Sequence, residues 1–224
     1  MPRAVLFDFF NTLISGKNAK RRAVTRGMGA DIGVDPELFA QVFTEVWPER
    51  MTGELGDLRT QLRIVAGRLG ADPSEAAVEA AIRRRSDLVR ETILLQNESV
   101  RILLTLRAAG WRVAIVSNCT IDSAEVIHTT ELARASDAVI LSCEVGVAKP
   151  DPAIYRLACE SVDAGAPAGN VYVGDGADRE LRGADDLGMR AIQTHQFAQN
   201  DPAWTGERIA TLADLLPLLG VEPG

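Results

Sequence analysis

Arg112-Val113-Ala114-Ile115-Val116-Ser117-Asn118 is a run of aliphatic residues that stops at a hydroxyl and an amide. A short apolar run bounded by polar residues reads as a strand buried on both faces. Three more stretches have the same form. Val5-Leu6-Phe7 ends in Asp8, with Thr12 four residues on. Gly146-Val147-Ala148 precedes Lys149-Pro150, and Val171-Tyr172-Val173 runs into Gly174-Asp175, with Asp178 and Glu180 following. In an open parallel sheet the carboxyl ends of the strands share one edge, where ligands bind. Asp8, Thr12, Ser117, Lys149 and Asp175 are therefore expected to converge, although they span most of the chain. A carboxylate nucleophile, two hydroxyls, a fixed ammonium and a metal-binding carboxylate suit a small anionic substrate.

Outward from that run, strand and helix patterns alternate. Strands are predicted at 112–116, 138–141, 170–173 and 190–193, and helices near 121–130, 151–163 and 178–187, with a last helix after Thr211. Such alternation implies βαβ units, hence an α/β fold with a doubly wound parallel sheet. Ala4 to Phe7 reads as the first strand of that sheet, and Glu98 to Ala109 as a helix stopped by Gly110. The stretch from Ala19 to Leu95 differs in character. Leu62, Val65, Ala66 and Leu69 recur at helical spacing, Ala77, Ala81 and Leu88 lie on a second helical stretch, and Gly53, Gly56, Gly70 and Asp72-Pro73 punctuate. It reads as an all-helical insertion, which gives a core of residues 1–16 and 97–224 and a cap of residues 17–96. The insertion leaves the core just after Asp8 and Thr12, so it is expected to cover the site, excluding water and selecting the substrate.

Composition narrows the function classes. The 224 residues carry a formal charge of −7, with 46% hydrophobic and 25% charged residues. That balance suits a globular protein and argues against a nucleic-acid partner, which draws on clustered positive charge. Cys119, Cys143 and Cys159 are odd in number and distant in sequence, against a disulfide framework or a zinc site. No apolar run approaches the roughly 20 residues of a membrane helix, and the N-terminus enters a strand with no leader pattern. A cytoplasmic protein with no membrane partner is expected. The sequence carries no signature of oligomeric state.

Each polar cluster also has a structural explanation. Asp8 is a common turn residue, Ser117-Asn118 a common helix cap, Lys149 a plausible surface lysine, and Gly174-Asp175-Gly176 a plausible turn. The functional alternatives are a hydroxyl and backbone N–H groups that hold an anion, and an aspartate that binds Mg²⁺. A lysine just before a helix sits against the positive end of the dipole and calls for a neighbouring anion.

Together, Asp8 with Thr12, Ser117-Asn118, Lys149-Pro150 and Gly174-Asp175 with Glu180 resemble the four signatures of the haloacid dehalogenase superfamily, in order. Glu144 to Pro152 with Ile154-Tyr155, and Val173-Gly174-Asp175 followed by Gly183-Ala184 and Gly188-Met189, are close matches. The helical insertion is similar to that superfamily's cap. The resemblance implies that Asp8 attacks the substrate and forms a covalent aspartyl intermediate. It implies that Thr12 and Ser117 orient the reacting groups and that Lys149 balances their charge. It places Mg²⁺ on Asp8, the backbone carbonyl of Phe10, Asp175 and Glu180, with Asp178 as a rival to Glu180. Phe10, Asn11 and Asn118 are the remaining expected substrate contacts.

One position departs from the phosphatase pattern. The superfamily's phosphatases carry a second aspartate two residues after the nucleophile, as general acid to the leaving alcohol and then general base to water; here that residue is Phe10. Such help is typically worth ~10²–10⁴ in rate. Halide needs no proton to leave, and the haloacid dehalogenases proper carry an aromatic residue at this place, need no metal and use an arginine for the substrate carboxylate. Arg50 and Arg59, after Trp47, are candidates for that arginine. Phe10 thus leans to a 2-haloacid dehalogenase, while Gly174-Asp175 leans to a Mg²⁺-dependent phosphatase of small phosphorylated metabolites. A non-catalytic small-anion-binding protein is a third alternative, opposed by the cost of burying unused charges.

Other residues carry less. Lys17, Lys20, Arg21, Arg22 and Arg26 read as a solvated helix face, with a lysine reaching into the site as the alternative. His128 and His195 lie in no motif. Cys119 reads as a small buried hydrophobe or a reactive thiol, and Trp47, Trp111 and Trp204 as packing residues, Trp47 with a possible substrate contact.

Overall fold

The computed structural model describes residues 3–16, 18–93 and 97–222. Lys17 and the expected junctions at 16–17 and 96–97 therefore lie wholly or partly outside the described residues. The chain begins with β1 (Ala4–Phe7) and then runs through α1 (Arg21–Asp31), α2 (Pro36–Glu45), α3 (Trp47–Met51), α4 (Leu58–Arg68) and α5 (Glu75–Thr92). It continues through α6 (Asn97–Ala108), β2 (Arg112–Ser117), α7 (Ile121–Ile127), α8 (Glu131–Ala135), β3 (Ala138–Leu141), α9 (Ser142–Val145) and α10 (Pro152–Ser161). It ends with β4 (Val171–Gly174), α11 (Glu180–Asp185), β5 (Arg190–Thr194), β6 (Glu207–Ile209) and α12 (Leu215–Leu218).

The strands form one parallel six-stranded sheet in the order β3-β2-β1-β4-β5-β6. The central strands are buried on both faces because successive side chains point to opposite sides. Val5 and Phe7 of β1 pack with Ile102, Leu103 and Leu106 of α6 and Ala124 and Ile127 of α7. Ala4 and Leu6 pack on the other face with Ile154, Tyr155 and Ala158 of α10 and Leu181 and Ala184 of α11. The result is a three-layer, doubly wound core. After β1 the chain moves outward through β2 and β3, then crosses back to β4 on the other side of β1. The switch point, where such sheets bind ligands, therefore lies between β1 and β4.

The helices α1 to α5 form the cap. They share a separate hydrophobic cluster that includes Met28, Phe39, Phe43, Leu62, Val65, Ala66, Val78 and Ala81. The stripe seen in the sequence is thus the buried face of α4. Side chains close the unsatisfied N–H groups of the helix starts: Asp35 caps α2, Asp57 caps α4 and Ser74 caps α5. Buried charge also joins cap to core. Arg85 Nε of α5 donates to Asp122 Oδ2 of α7 at 2.6 Å, and Arg50 of α3 lies 3.8 Å from the same carboxylate. At the stem, Ser99 Oγ donates to the Leu13 carbonyl at 2.6 Å.

Two local expectations need correction, and one strand was not foreseen. The helix expected near 121–130 stops at Ile127, and Thr130 caps a second short helix, α8. The helix expected at 178–187 is a 3-10 turn over Ala177–Arg179 followed by α11, because Asp178 and Arg179 both adopt left-handed backbone, at φ 52° and 57°. The short edge strand β6 has no apolar run to announce it. Among the described residues, no helix is long and apolar enough to cross a membrane.

Candidate active site

Asp8 follows β1 and Asp175 follows β4, so the two aspartates flank the switch point; the Asp8 N–H donates to the Val173 carbonyl at 2.9 Å. Lys149 enters from the turn before α10, which starts with Pro152 and is capped by Asp151. Its ammonium lies 2.6 Å from Asp8 Oδ1, 2.6 Å from Glu180 Oε2 and 3.0 Å from the Tyr172 hydroxyl. Thr12 Oγ1 donates to the other Asp8 oxygen at 3.0 Å. Gly176 N–H donates to Glu180 Oε1 at 3.1 Å, and Tyr172 donates to Oε2 at 2.7 Å. Glu180 folds back so closely over Gly174 that a Cβ there would collide with its carboxylate. That close approach explains the glycine before Asp175.

Asp8, Asp175 and Glu180 are buried, and one oxygen of each lies within 4.8 Å of the others. Three carboxylates against one ammonium leave an excess of negative charge in low dielectric. Burial, then the charge of Asp8, raises Asp175 above the usual carboxylate range and pushes Glu180 up to about 8, against the pull of Lys149. Burial alone would lower Lys149, but Asp8 and Glu180 hold it above the ordinary lysine value. A set of hard oxygen donors with surplus negative charge fits a divalent cation such as Mg²⁺.

The remaining expected contacts fall around this centre. Asn118 locks the Lys149 turn: its amide donates to the Lys149 carbonyl at 3.0 Å and accepts from the Lys149 N–H at 2.8 Å. The same amide donates to Asp178 at 2.8 Å. Asp178 is thus exposed and tied to Asn118, outside the three-carboxylate cluster. Asn11 has left-handed backbone at φ 60°, and its side chain accepts from the Gly16 N–H at 3.1 Å, turning the chain toward the cap. Ser117 Oγ is fully buried with no hydrogen-bond partner among the described residues. An orphan hydroxyl of this kind is costly unless a ligand atom satisfies it. Phe10 packs edge-to-face on Phe9, with ring centres 5.1 Å apart, and lines the cavity.

That cavity has a volume of about 250 Å³ and runs from Asp8, Lys149 and Glu180 to the cap residues Trp47, Arg21 and Arg85. Several cap and loop residues behave differently from their sequence expectations. Arg50 is buried against the Phe43 ring, 3.7 Å from its centre, and donates to Gln61; Arg59 pairs with Glu75 and Glu79. Neither lines the cavity. Within the basic run, Lys20 pairs with Glu91 and Arg26 with Glu37, and Arg21, itself exposed, lines the cavity. His128 pairs with Glu144, and His195 contacts Gln193. Cys119 is buried and lines the cavity, yet folding brings its sulfur within 3.8 Å of Cys143, a pair that sequence distance concealed. The Cys143 contact and burial raise the Cys119 thiol well above its ordinary value, against an activated thiolate.

Sequence reasoning missed Tyr172, Tyr155 and Asn200. Tyr155 donates to the Glu180 carbonyl at 2.8 Å, and Asn200 donates to Asp175 at 2.6 Å. A tyrosine inside an aliphatic strand, two residues before Gly174, was the available signal for Tyr172. Asn200 comes from the loop after β5 and has no such signal.

A profile of haloacid dehalogenase-like hydrolases matches residues 2–188. The glyceraldehyde 3-phosphate phosphatase of Methanopyrus kandleri is 26% identical over 211 residues, 90% of this chain and 87% of its own length. The (S)-2-haloacid dehalogenase 1 of a Pseudomonas species is 26% identical over 205 residues, 87% and 85% of the two chains. Among solved structures, a 2-haloacid dehalogenase of Pseudomonas syringae superposes with a TM-score of 0.73 at 22% identity, covering 98% of this chain and 99% of its own.

Proposed function

The chain belongs to the haloacid dehalogenase-like hydrolases, and within that family we propose a Mg²⁺-dependent phosphatase acting on a small phosphorylated metabolite, with Asp8 as nucleophile. The observation that carries this reading is the buried cluster of Asp8, Asp175 and Glu180 around a single lysine. Asp8, Asp175 and Glu180, with the backbone carbonyl of Phe10, would hold Mg²⁺, which supplies positive charge for the phosphoryl oxygens. An oxygen of Asp8 attacks phosphorus, and the bond from phosphorus to the leaving oxygen breaks, giving an aspartyl phosphate. Water then attacks the same phosphorus, releasing phosphate and restoring the carboxylate. Lys149 offsets the charge of Asp8 and substrate, Thr12 holds Asp8 in line, and the orphan Ser117 hydroxyl donates to a phosphoryl oxygen. Asn11 and Asn118 shape the phosphate cradle. In this reading the catalytic core comprises residues 1–16 and 97–224 and the cap residues 17–96.

Phe10 restricts the leaving group. No proton donor stands at that position, so acyl phosphates and other good leaving groups suit the site better than alkyl phosphates. The same residue favours a second reading, a 2-haloacid dehalogenase, because halide leaves without a proton. A panel of acetyl phosphate, alkyl and aryl phosphates and chloro- or bromoacids, each with Mg²⁺ and with EDTA, separates the two. EDTA-sensitive phosphate release is the expected result. Halide release unaffected by EDTA overturns the phosphatase reading, and no turnover alongside tight ligand binding assigns a binding role.

A further inference from the structure

Two of the three cysteines stand face to face beside the active site. Ser117 of β2 pairs with Leu141 of β3, so Cys119 and Cys143, each two residues further, leave neighbouring parallel strands in the same register. Ser142 Oγ fixes that approach: it accepts from the Cys119 N–H at 3.0 Å and donates to the Cys119 carbonyl at 3.3 Å. Adjacent strands run ~4.7–4.9 Å apart, within the ~4.4–6.8 Å between Cα atoms that a disulfide spans. The sulfurs lie 3.8 Å apart, and both thiols are free and buried.

The pair sits where core, cap and cavity meet. Cys119 lines the cavity, and its chain neighbour Asn118 locks the Lys149 turn. The cap lies against Cys143: Gly53, with left-handed backbone at φ 75°, approaches the Cys143 carbonyl so closely that a Cβ there would collide with it. The hydrogen bond between the thiols lowers Cys143, and the same bond with burial raises Cys119. Cys143 is therefore the sulfur that ionises first, and the thiolate is the form that attacks an oxidant. Cys159 is an internal control: it is buried on the other face of the sheet beside Asn170, and burial pushes it up to about 11.

We propose that Cys119 and Cys143 form an oxidation site, closed to a disulfide by hydrogen peroxide and reopened by a thiol reductant, and that the closed form slows the adjacent active site. The Cys143 thiolate attacks one peroxide oxygen; the O–O bond breaks, leaving a sulfenic acid and hydroxide. The Cys119 sulfur then attacks the Cys143 sulfur; the S–S bond forms, the S–O bond breaks and a second hydroxide leaves. The two thiol protons convert both hydroxides to water, so two thiols lose two electrons and one peroxide becomes two waters. Closure draws the sulfurs from 3.8 Å to about 2.05 Å and pulls on the chain beside Asn118, where a displacement of ~1 Å can cost ~10²-fold in rate.

The test treats the full-length protein with hydrogen peroxide, counts free thiols after denaturation and records the intact mass. The three free thiols are expected to fall to the single thiol of Cys159, the mass to drop by two hydrogens, and a digest to yield one peptide joining Cys119 to Cys143. Acetyl phosphate hydrolysis should slow roughly 10-fold or more and recover with dithiothreitol. Cys143→Ser should keep the parental rate before and after peroxide. Retention of all three thiols, or added oxygen in place of lost hydrogen, overturns the disulfide; a disulfide that leaves the rate unchanged overturns its link to the active site. Failure of untreated protein to hydrolyse any phosphate removes the phosphatase reading, while thiol count and mass still decide the disulfide.

Discussion

On the sheet side of the cavity Lys149 is tied to Asp8, Glu180 and Tyr172, which come from distant parts of the chain, and Asp8 is held by the nearby Thr12 as well. On the cap side, Arg21 holds one backbone carbonyl, Trp47 is 36% exposed, and the fixed pairs sit behind the wall at Asp122. The two walls also rest on separate hydrophobic clusters. The contrast teaches a division of labour. A buried, mutually bonded charge network has one low-energy arrangement and suits chemistry, which needs fixed geometry. A wall with spare donors and exposed aromatic surface adapts to a ligand, and its replacement changes selectivity without disturbing the network.

The largest expected effect lies on the sheet side. Asp8→Asn should lower turnover roughly 10³-fold or more, since it removes the nucleophile; steady-state rates on acetyl phosphate measure it, and parental activity would end the covalent interpretation. Next comes the join between the walls. Asp122→Ala strands Arg50 and Arg85 without their anion, and breaking a buried pair costs about 3–5 kcal/mol. Urea unfolding reads that loss, and a change below about 1 kcal/mol would show that the pairs do not hold the cap. Phe10→Asp sharpens the leaving-group argument: alkyl phosphate turnover should rise by about 10²-fold, with little change on p-nitrophenyl phosphate, and equal gains on both contradict it.

The smallest effect is a pH slope. Glu180 is raised in the folded protein to about 8 from an ordinary value of 4.5. Between those values the folded state binds more protons than the unfolded chain, so this residue's contribution to stability is full below about 4.5 and declines as pH rises toward 8. Metal-free protein should therefore unfold at lower urea as pH increases through that window, and Glu180→Gln should flatten the trend. An unchanged slope in the variant places the titration elsewhere.

Much of the sheet wall was legible in the chain itself. Asp8, Ser117 and Asp175 stand where apolar runs stop, and a parallel sheet must bring such ends to one edge. Lys149 was legible because a lysine before a helix needs an anion nearby. The cap wall was not. Arg21 sits in a basic run whose neighbours Lys20 and Arg26 pair with surface carboxylates, and nothing in its spacing distinguishes it from them. Arg50 looked like a ligand arginine after Trp47, but it stacks on Phe43 inside the cap.

The sequence by itself determined the strands β1 to β5, the helical insertion and which residues stand at the strand ends, because burial on both faces writes an unbroken apolar run and amphipathic helices write their period. Tertiary structure alone decided that Glu180 turns back over Gly174 to reach Lys149, that Tyr172 and Asn200 complete the acidic centre, that Cys119 meets Cys143, and that Arg21, rather than Lys20, Arg22 or Arg26, lines the cavity. Those outcomes depend on the direction of single side chains across long loops, which local periodicity does not encode.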